Sequence, residues 1–170
     1  MVPRTTRTDP AAVPAPKLLR REFTAAAPDR CWVGDITDLA TGEGWRYRAS
    51  LVDVHSRRVV GFARADHLRT ALALPALQSA LAQRHPAADT VLHHTDRGGQ
   101  YPARAYQAVL EAHGIRPSMR RAGECYDTAL AERFNATLKT ALAAPPRWPT
   151  RQAARAAVCE WVTVCDNRQR

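Results

Sequence analysis

Three acidic residues have the type and placement needed to bind divalent cations. Asp35 interrupts the apolar run "CWVGDIT", Asp96 follows "TVLHHT", and Glu132 lies in "DTALAERFNATLK". Mg²⁺ prefers oxygen ligands, and a pair of such ions can hold the attacking and leaving oxygens of a phosphodiester. Converging carboxylates repel one another unless a cation lies between them. Together, the three acids predict a metal site suited to phosphodiester chemistry.

Two of the three acids also have a simpler explanation. Asp96 could open a turn before the Gly98-Gly99 pair, because Asp and Gly both favour turns. Glu132 could be a solvated residue on an exposed helical surface. Asp35 is harder to explain, because Asp is disfavoured inside an apolar strand and something must compensate it.

The helix that carries Glu132 has two distinct sides. At about 100° per residue, its predicted buried face consists of Leu130, Phe134, Leu138 and Ala141. Glu132, Asn135 and Lys139 fall on the opposite side, and Asp127 is a suitable N-cap. A carboxylate, an amide and an ammonium are therefore expected to project together.

The surrounding pattern predicts the elements that position these residues. The runs "CWVGDITDLA", "WRYRASLVDV" and "RRVVGFA" predict an antiparallel meander of three strands. A helix over 70–84, a strand at "TVLHHT", a helix over 102–113 and a short strand at "GIRPS" follow. Two further helices are predicted at about 127–143 and 150–166. This order predicts an α/β domain with a mixed five-stranded sheet and flanking helices.

Length and charge narrow the class of protein. A chain of 170 residues fits one domain. Its 25 Lys and Arg exceed 16 acidic residues to give a net charge of +9, and only Lys17 and Lys139 are lysines. The planar guanidinium of Arg suits bidentate contact with phosphate. The excess of cationic over acidic side chains therefore indicates a polyanionic partner.

The termini, cysteines and hydropathy add weaker expectations. Residues 1–29 are rich in proline and arginine, which is typical of a linker or arm. No apolar run approaches the roughly 18 residues of a membrane span, so a cytoplasmic location without membrane attachment is expected. The four cysteines form no C-x-x-C pair, which disfavours a zinc site and favours reduced core residues.

Four motifs together resemble one family. "WVGDIT", "LVDVHSRRVVGF", "HHTDRGGQY" and "SMRRAGECYDTALAERFNATLK" are similar, in order and spacing, to the catalytic core of OrfB-type transposases of bacterial insertion sequences. That family is related to retroviral integrases and has a ribonuclease H-like fold. The resemblance covers about residues 20–170 and includes the Asp-Asp-35-Glu spacing. It implies an integrase-type core over 30–170.

The resemblance assigns roles to the three acids. It implies that Asp35, Asp96 and Glu132 are the catalytic triad of a DDE transposase and bind Mg²⁺ or Mn²⁺, with two ions expected. Asp35 and Asp96 would share one ion, and Glu132 would complete the second site. A metal-activated water would cut at an element end, and the freed 3′-hydroxyl would attack another phosphodiester.

Partners follow from the same resemblance. DNA would be bound at element ends and target, by a homo-oligomer in a synaptic complex associated with the bacterial nucleoid. The predicted DNA contacts are Arg97, Arg133, Asn135 and Lys139. His93 and His94 are expected to shape the site, whereas Asp53 is interpreted as a turn cap before Ser56.

The sequence also departs from the family pattern. Asp127-Thr128 stands where the family commonly has Asp-Asn, and Asp166-Asn167 where it has Tyr-Asn. The family's N-terminal DNA-binding region and its closing segment after Arg170 are not represented, so the core is expected to be truncated at its C-terminus. A non-catalytic remnant that binds DNA or the full-length transposase is therefore an alternative, and a plain ribonuclease H-like nuclease is a third.

Overall fold

The computed structural model describes residues 24–67, 70–96, 98–119, 136, 140 and 148–160. Five strands are present: β1 (Cys31–Thr41), β2 (Gly44–Asp53), β3 (Val59–Ala65), β4 (Leu92–Thr95) and β5 (Arg116–Met119). Three helices have their bounds within these described ranges: α1 (Thr70–Arg84), α2 (Arg104–Ala112) and α3 (Arg151–Glu160). Most of these bounds lie within about two residues of the predicted ones, which is the usual uncertainty of element ends.

The strands form a single mixed sheet in the order β3-β2-β1-β4-β5. β1, β2 and β3 pair antiparallel as hairpins. β4 and β5 join the other side of β1 with parallel pairing. The predicted meander and mixed five-stranded sheet are thus confirmed, and β1 becomes the central strand.

The main core lies on one face of the sheet, here called the helix-covered face. Trp32 of β1 and Leu51 of β2 project from this face and pack with buried residues of α1 and α2. Gly61 of β3 allows α1 to approach closely, because a Cβ at this position would collide with the backbone of Ala76 and Ala80. Burial of this apolar surface is the main stabilising contribution to the fold.

α3 covers part of the opposite face. Its Val158 is fully buried against Leu39, Val52 and Val59 of the first three strands. The Arg64 guanidinium of β3 donates to the Arg155 carbonyl at 3.1 Å and fixes the helix across the sheet. Side chains alternate between faces along a strand, so β1 presents Trp32 to the helix-covered face and Leu39 to the opposite face.

The segment before β1 contacts the core. The Asp29 carboxylate accepts three bonds from the Arg84 guanidinium, at 2.6, 2.9 and 3.1 Å, and one from Trp32 Nε1 at 3.1 Å. The Asp29 backbone N–H donates to Asp53 at 2.8 Å. Residues 1–23 of the predicted arm lie outside the described residues, so the division at residue 29 remains a prediction.

Two other expectations concern helices. Ala136 and Thr140 are helical and exposed within the predicted 127–143 helix, while its remaining residues lie outside the described part of the chain. Across the ranges that the structure describes, every helix is too short or too polar to cross a bilayer.

Candidate active site

Parallel pairing of β1 with β4 places Asp35 beside Asp96. Gly34 is the register partner of Thr95, and this pair ends the ladder between the two strands. Asp35 follows Gly34 on β1, and Asp96 follows Thr95 directly after β4. Both side chains are partly exposed. Two of the three predicted ligands therefore lie next to each other at the end of the β1–β4 ladder.

A tight loop fixes Asp96. The Gly98 backbone N–H donates to Asp96 Oδ1 at 2.8 Å. A Cβ at Gly98 would lie only 2.9 Å from Asp96 Oδ1 and 2.6 Å from Gln100 Oε1. No side chain fits there without displacing these oxygens. The turn expected for Asp96 is thus present, and it orients the carboxylate.

Asp35 projects from the opposite face of the sheet. It lies two and four residues from Val33 and Leu39 on β1, and side chains at alternate positions of a strand share a face. Its antiparallel partner on β2 is Ser50. Ser50 is fully buried, and among the described residues its Oγ has no hydrogen-bond partner. A buried hydroxyl without a partner requires an explanation such as a water or an ion. Asp35 therefore lies beside unused hydrogen-bonding capacity.

An aromatic cluster lies in the core on the helix-covered face, close to the strand ends that carry the two carboxylates. Tyr101 and Tyr106 meet edge to face with ring centroids 5.5 Å apart, and Tyr101 also meets His93 edge to face at 6.5 Å. Burial raises the pKa of Tyr101, and the charges of Asp96 and Asp35 raise that pKa further. The hydroxyl of Tyr101 thus lies within electrostatic range of both acids.

The two histidines that precede Asp96 are buried and hold β4 in place. His93 Nε2 lies 2.8 Å from the Tyr106 hydroxyl, and His94 Nδ1 lies 2.9 Å from Ser118 Oγ of β5. Desolvation lowers the pKa of His93 to about 4, so its ring is neutral at pH 7. Neither imidazole is accessible at the surface. Both influence the site through the strand that they anchor.

Asp53 has the structural role expected of it. Its Oδ1 accepts the Ser56 N–H at 2.7 Å and the Ser56 hydroxyl at 2.8 Å. The side chain is fully buried in this turn between β2 and β3. Asp53 therefore caps a turn.

The remaining predicted site residues cannot be placed. Glu132 and the four predicted DNA contacts, which are Arg97, Arg133, Asn135 and Lys139, lie outside the described residues. Within the described ranges, no group of three or more His, Cys, Asp or Glu side chains could hold a metal ion. The convergence of Glu132 on the two aspartates stays a prediction.

The described donors nevertheless fit a hard divalent cation. Asp35 and Asp96 supply carboxylate oxygens, which Mg²⁺ and Mn²⁺ prefer. The buried Ser50 hydroxyl, which has no partner among the described residues, lies on the face to which Asp35 projects, where a ligand carboxylate needs a neighbouring group to orient it. Cys31, by contrast, is buried among apolar residues and belongs to the core.

Comparison with family models and relatives gives consistent results. The sequence matches the integrase core domain over residues 25–125 and a second integrase core domain model over residues 113–168. It is 39% identical over 156 residues to the uncharacterized 31 kDa protein of insertion element IS600 from Shigella sonnei, covering 92% of this chain and 57% of that protein. It is 40% identical over 153 residues to transposase InsF for insertion sequence IS3A from Escherichia coli strain K12, covering 90% and 53%. The chain thus spans about half the length of these relatives.

Solved structures share the fold. A chain of the simian T-cell lymphotropic virus intasome in complex with PP2A regulatory subunit B56 gamma has a TM-score of 0.67 at 22% identity, covering 90% of this chain and 54% of that chain. The HTLV-2 integrase catalytic core domain in complex with magnesium has a TM-score of 0.60 at 19% identity, covering 80% and 86%. The predicted ribonuclease H-like fold is therefore confirmed.

Sequence reasoning missed several residues that form this site. Tyr101 closes the motif "HHTDRGGQY", but the motif gave no sign that Tyr101 is buried against His93 and Tyr106, where the charges of both aspartates raise its pKa. Tyr106 lies on the helix that was predicted over 102–113, but nothing in that prediction linked its side chain to His93. Ser50 lies in the strand "WRYRASLVDV", and its relation to Asp35 depends on a register that no local pattern encodes.

Proposed function

The chain belongs to the integrase core domain family, and we propose that it is a DDE transposase catalytic domain that cleaves and joins DNA strands during transposition. The observation that supports this best is the placement of Asp35 and Asp96 on neighbouring parallel strands of a ribonuclease H-like sheet. Carboxylates brought together in this way are suited to hold the divalent ions that phosphodiester exchange requires.

We propose Asp35, Asp96 and Glu132 as the metal ligands and the catalytic residues. Asp35 and Asp96 would share one ion, and Glu132 would complete a second site. When bound, Mg²⁺ or Mn²⁺ would neutralise charge on the phosphodiester and make the attacking oxygen more nucleophilic. The HTLV-2 integrase core, which shares the fold, was solved in complex with magnesium, and this supports the choice of ion.

The protein's own groups keep these ligands in fixed positions. The Gly98 N–H holds one oxygen of Asp96, which leaves the other available. The buried cluster of Tyr101, Tyr106 and His93 fixes β4, the strand that ends directly before Asp96, against α2. Ligands fixed in advance need little reorganisation when charge develops in the transition state.

DNA is the proposed substrate, at both element ends and target. Its backbone would be held by arginine-rich surface, with Arg97, Arg133, Asn135 and Lys139 as proposed contacts. Backbone contacts position DNA without reading its sequence. The net charge of +9 supports such binding.

We further propose that the active form is a homo-oligomer in a synaptic complex, and that the protein acts at the bacterial nucleoid. Related catalytic cores of HTLV-2 integrase occur in trimeric and dimeric forms, and another relative is part of an intasome. The IS600 protein and transposase InsF, to which the chain is similar, come from bacteria, where chromosomal DNA lies in the cytoplasm.

A plasmid-nicking assay tests the function. The purified chain is incubated with supercoiled DNA and Mg²⁺ or Mn²⁺, and Asp35→Asn, Asp96→Asn and Glu132→Gln are compared with the parent. Each substitution should lower the nicking rate about 10²-fold or more, because several kcal/mol of charge stabilisation is lost. Asp38→Asn is the matched control, since Asp38 lies on the same strand but alternates to the other face.

The assay separates the competing functions. Nicking that all three substitutions abolish and Asp38→Asn preserves supports a DDE enzyme. A folded chain that binds DNA but nicks no faster than Asp35→Asn would indicate the non-catalytic DNA-binding role. Hydrolysis without any joining of a supplied 3′-hydroxyl end would indicate a plain nuclease.

A further inference from the structure

Ser50 has a buried hydroxyl whose hydrogen-bonding capacity is not used by any described residue. It is fully buried in β2, and among the described residues its Oγ is one of the few buried polar atoms with no hydrogen-bond partner. Most buried polar side chains in proteins have a partner, and exceptions commonly mark a missing water, ion or functional contact. An alanine would fill the same space without this penalty.

The register determines what Ser50 can reach. Its partner on β1 is Asp35, and its partner on β3 is Phe62. All three side chains project from the opposite face, because directly paired residues share a face. Phe62 is an apolar neighbour that packs against the cluster beneath α3. The polar group across the strand pair is therefore the Asp35 carboxylate.

The distance across the pair suits a hydrogen bond. Directly opposite Cβ atoms in an antiparallel pair lie about 4.5–5.5 Å apart, which a serine hydroxyl and an aspartate oxygen can span together. A serine hydroxyl changes its direction by rotation about a single χ1 angle, which needs no movement of the backbone. Carboxylates that bind metals are themselves hydrogen-bonded by neighbouring groups, which fix their orientation.

We propose that Ser50 is a positioning residue for Asp35, and that its hydroxyl donates to the Asp35 carboxylate when a divalent cation is bound. This inference rests on the proposed function, because it requires Asp35 to be a metal ligand. Ser50 does not touch the cation or DNA. Its contribution is to hold one carboxylate oxygen so that the other faces the cation.

Mn²⁺ binding to the full chain tests the proposal without any measurement of activity. Calorimetry gives the Kd, and melting curves with and without MnCl₂ give the stability of each state. Ser50→Ala should raise the Kd about 10- to 100-fold, which is the usual effect of removing a group that orients a metal ligand. Its melting temperature without metal should equal or exceed that of the parent, because the lost hydroxyl had no partner among the described residues.

Two variants sharpen the measurement. Ser50→Cys keeps a weak donor of similar size, so its Kd should fall between those of the parent and Ser50→Ala. Ser56→Ala is the matched control, because the Ser56 hydroxyl is bonded to Asp53 at 2.8 Å in a turn of the same hairpin. It should lower the melting temperature without metal and leave the Kd unchanged.

Asp35→Asn distinguishes failure of this inference from failure of the proposed function. If Asp35→Asn abolishes Mn²⁺ binding and Ser50→Ala leaves the Kd unchanged, the Ser50 role is wrong and the metal site stands. If Asp35→Asn binds Mn²⁺ as the parent does, the proposed metal site itself is wrong. A Ser50→Ala protein that is already destabilised without metal indicates a packing role and overturns the inference.

Discussion

The side chains of His93 and Tyr106 meet inside the core, where His93 Nε2 lies 2.8 Å from the Tyr106 hydroxyl. His93 belongs to β4, three residues before Asp96, and Tyr106 belongs to α2. Both side chains are buried. This contact joins β4, the strand that ends directly before the proposed ligand Asp96, to α2.

Burial of His93 should make stability depend on pH. The pKa of His93 falls from 6.5 to about 4 in the folded protein, so the unfolded chain binds a proton first. The free energy of unfolding should therefore decrease as pH falls from about 6.5 to about 4, by on the order of 3 kcal/mol from this residue. Urea denaturation at several pH values measures the effect. His93→Gln should flatten the profile, whereas His113→Gln, at an exposed position, should retain it.

Removal of the Tyr106 hydroxyl should leave a buried imidazole nitrogen without its partner. Tyr106→Phe is expected to lower the free energy of unfolding by about 1–3 kcal/mol, measured by urea denaturation at pH 7. Tyr47→Phe is the control, because Tyr47 is only partly buried at the margin of the same core. Equal stability of Tyr106→Phe and the parent would contradict the role assigned to this hydrogen bond.

Divalent metal should stabilise the folded chain. At about 100 times its Kd, Mg²⁺ should contribute about 2.7 kcal/mol, which raises the melting temperature by roughly 5–10 °C. Asp35→Asn and Asp96→Asn should lose this increase and melt no lower than the parent without metal, because charge repulsion is relieved. Asp38→Asn should keep the increase. A melting temperature unmoved by millimolar metal in a folded sample would argue against the site.

DNA affinity should fall steeply with salt, because phosphate contacts by cationic side chains release counterions. Lys139→Ala should weaken binding to all sequences alike and reduce the salt slope by about one phosphate contact. Fluorescence anisotropy over a series of salt concentrations gives both quantities. Lys17→Ala, in the predicted arm, is the matched lysine control. Unchanged affinity and slope for Lys139→Ala would remove this residue from the DNA surface.

The 170-residue chain should bind DNA without marked sequence preference. Backbone contacts carry no sequence information, and base-edge contacts in the grooves are needed to discriminate sites. Binding to a terminal inverted repeat and to scrambled DNA of equal length should therefore differ little. A large preference for the repeat would show that this core carries its own end recognition.

Local patterns determined much of the fold. The β1, β2 and β3 strands were predictable because alternating apolar residues mark a strand with one buried face. Helix α1 was predicted over 70–84 and occupies Thr70–Arg84, because its sequence is rich in Ala and Leu, which favour the helix. The acids Asp35 and Asp96 could be placed on a strand and at a strand end by the same means. Their proposed role came from the resemblance of four motifs to a known family.

Only the tertiary structure determined which residues meet. Pairing of Gly34 with Thr95, of Asp35 with Ser50 and of His93 with Tyr106 depends on strand register and helix docking. A period of two fixes the face on which a side chain lies but not its partner, because every register shifted by two residues preserves that face. His93 Nδ1 thus reaches the Trp32 carbonyl across 61 positions of the chain. Such contacts are selected by the summed packing of the whole core, which no local stretch of sequence contains.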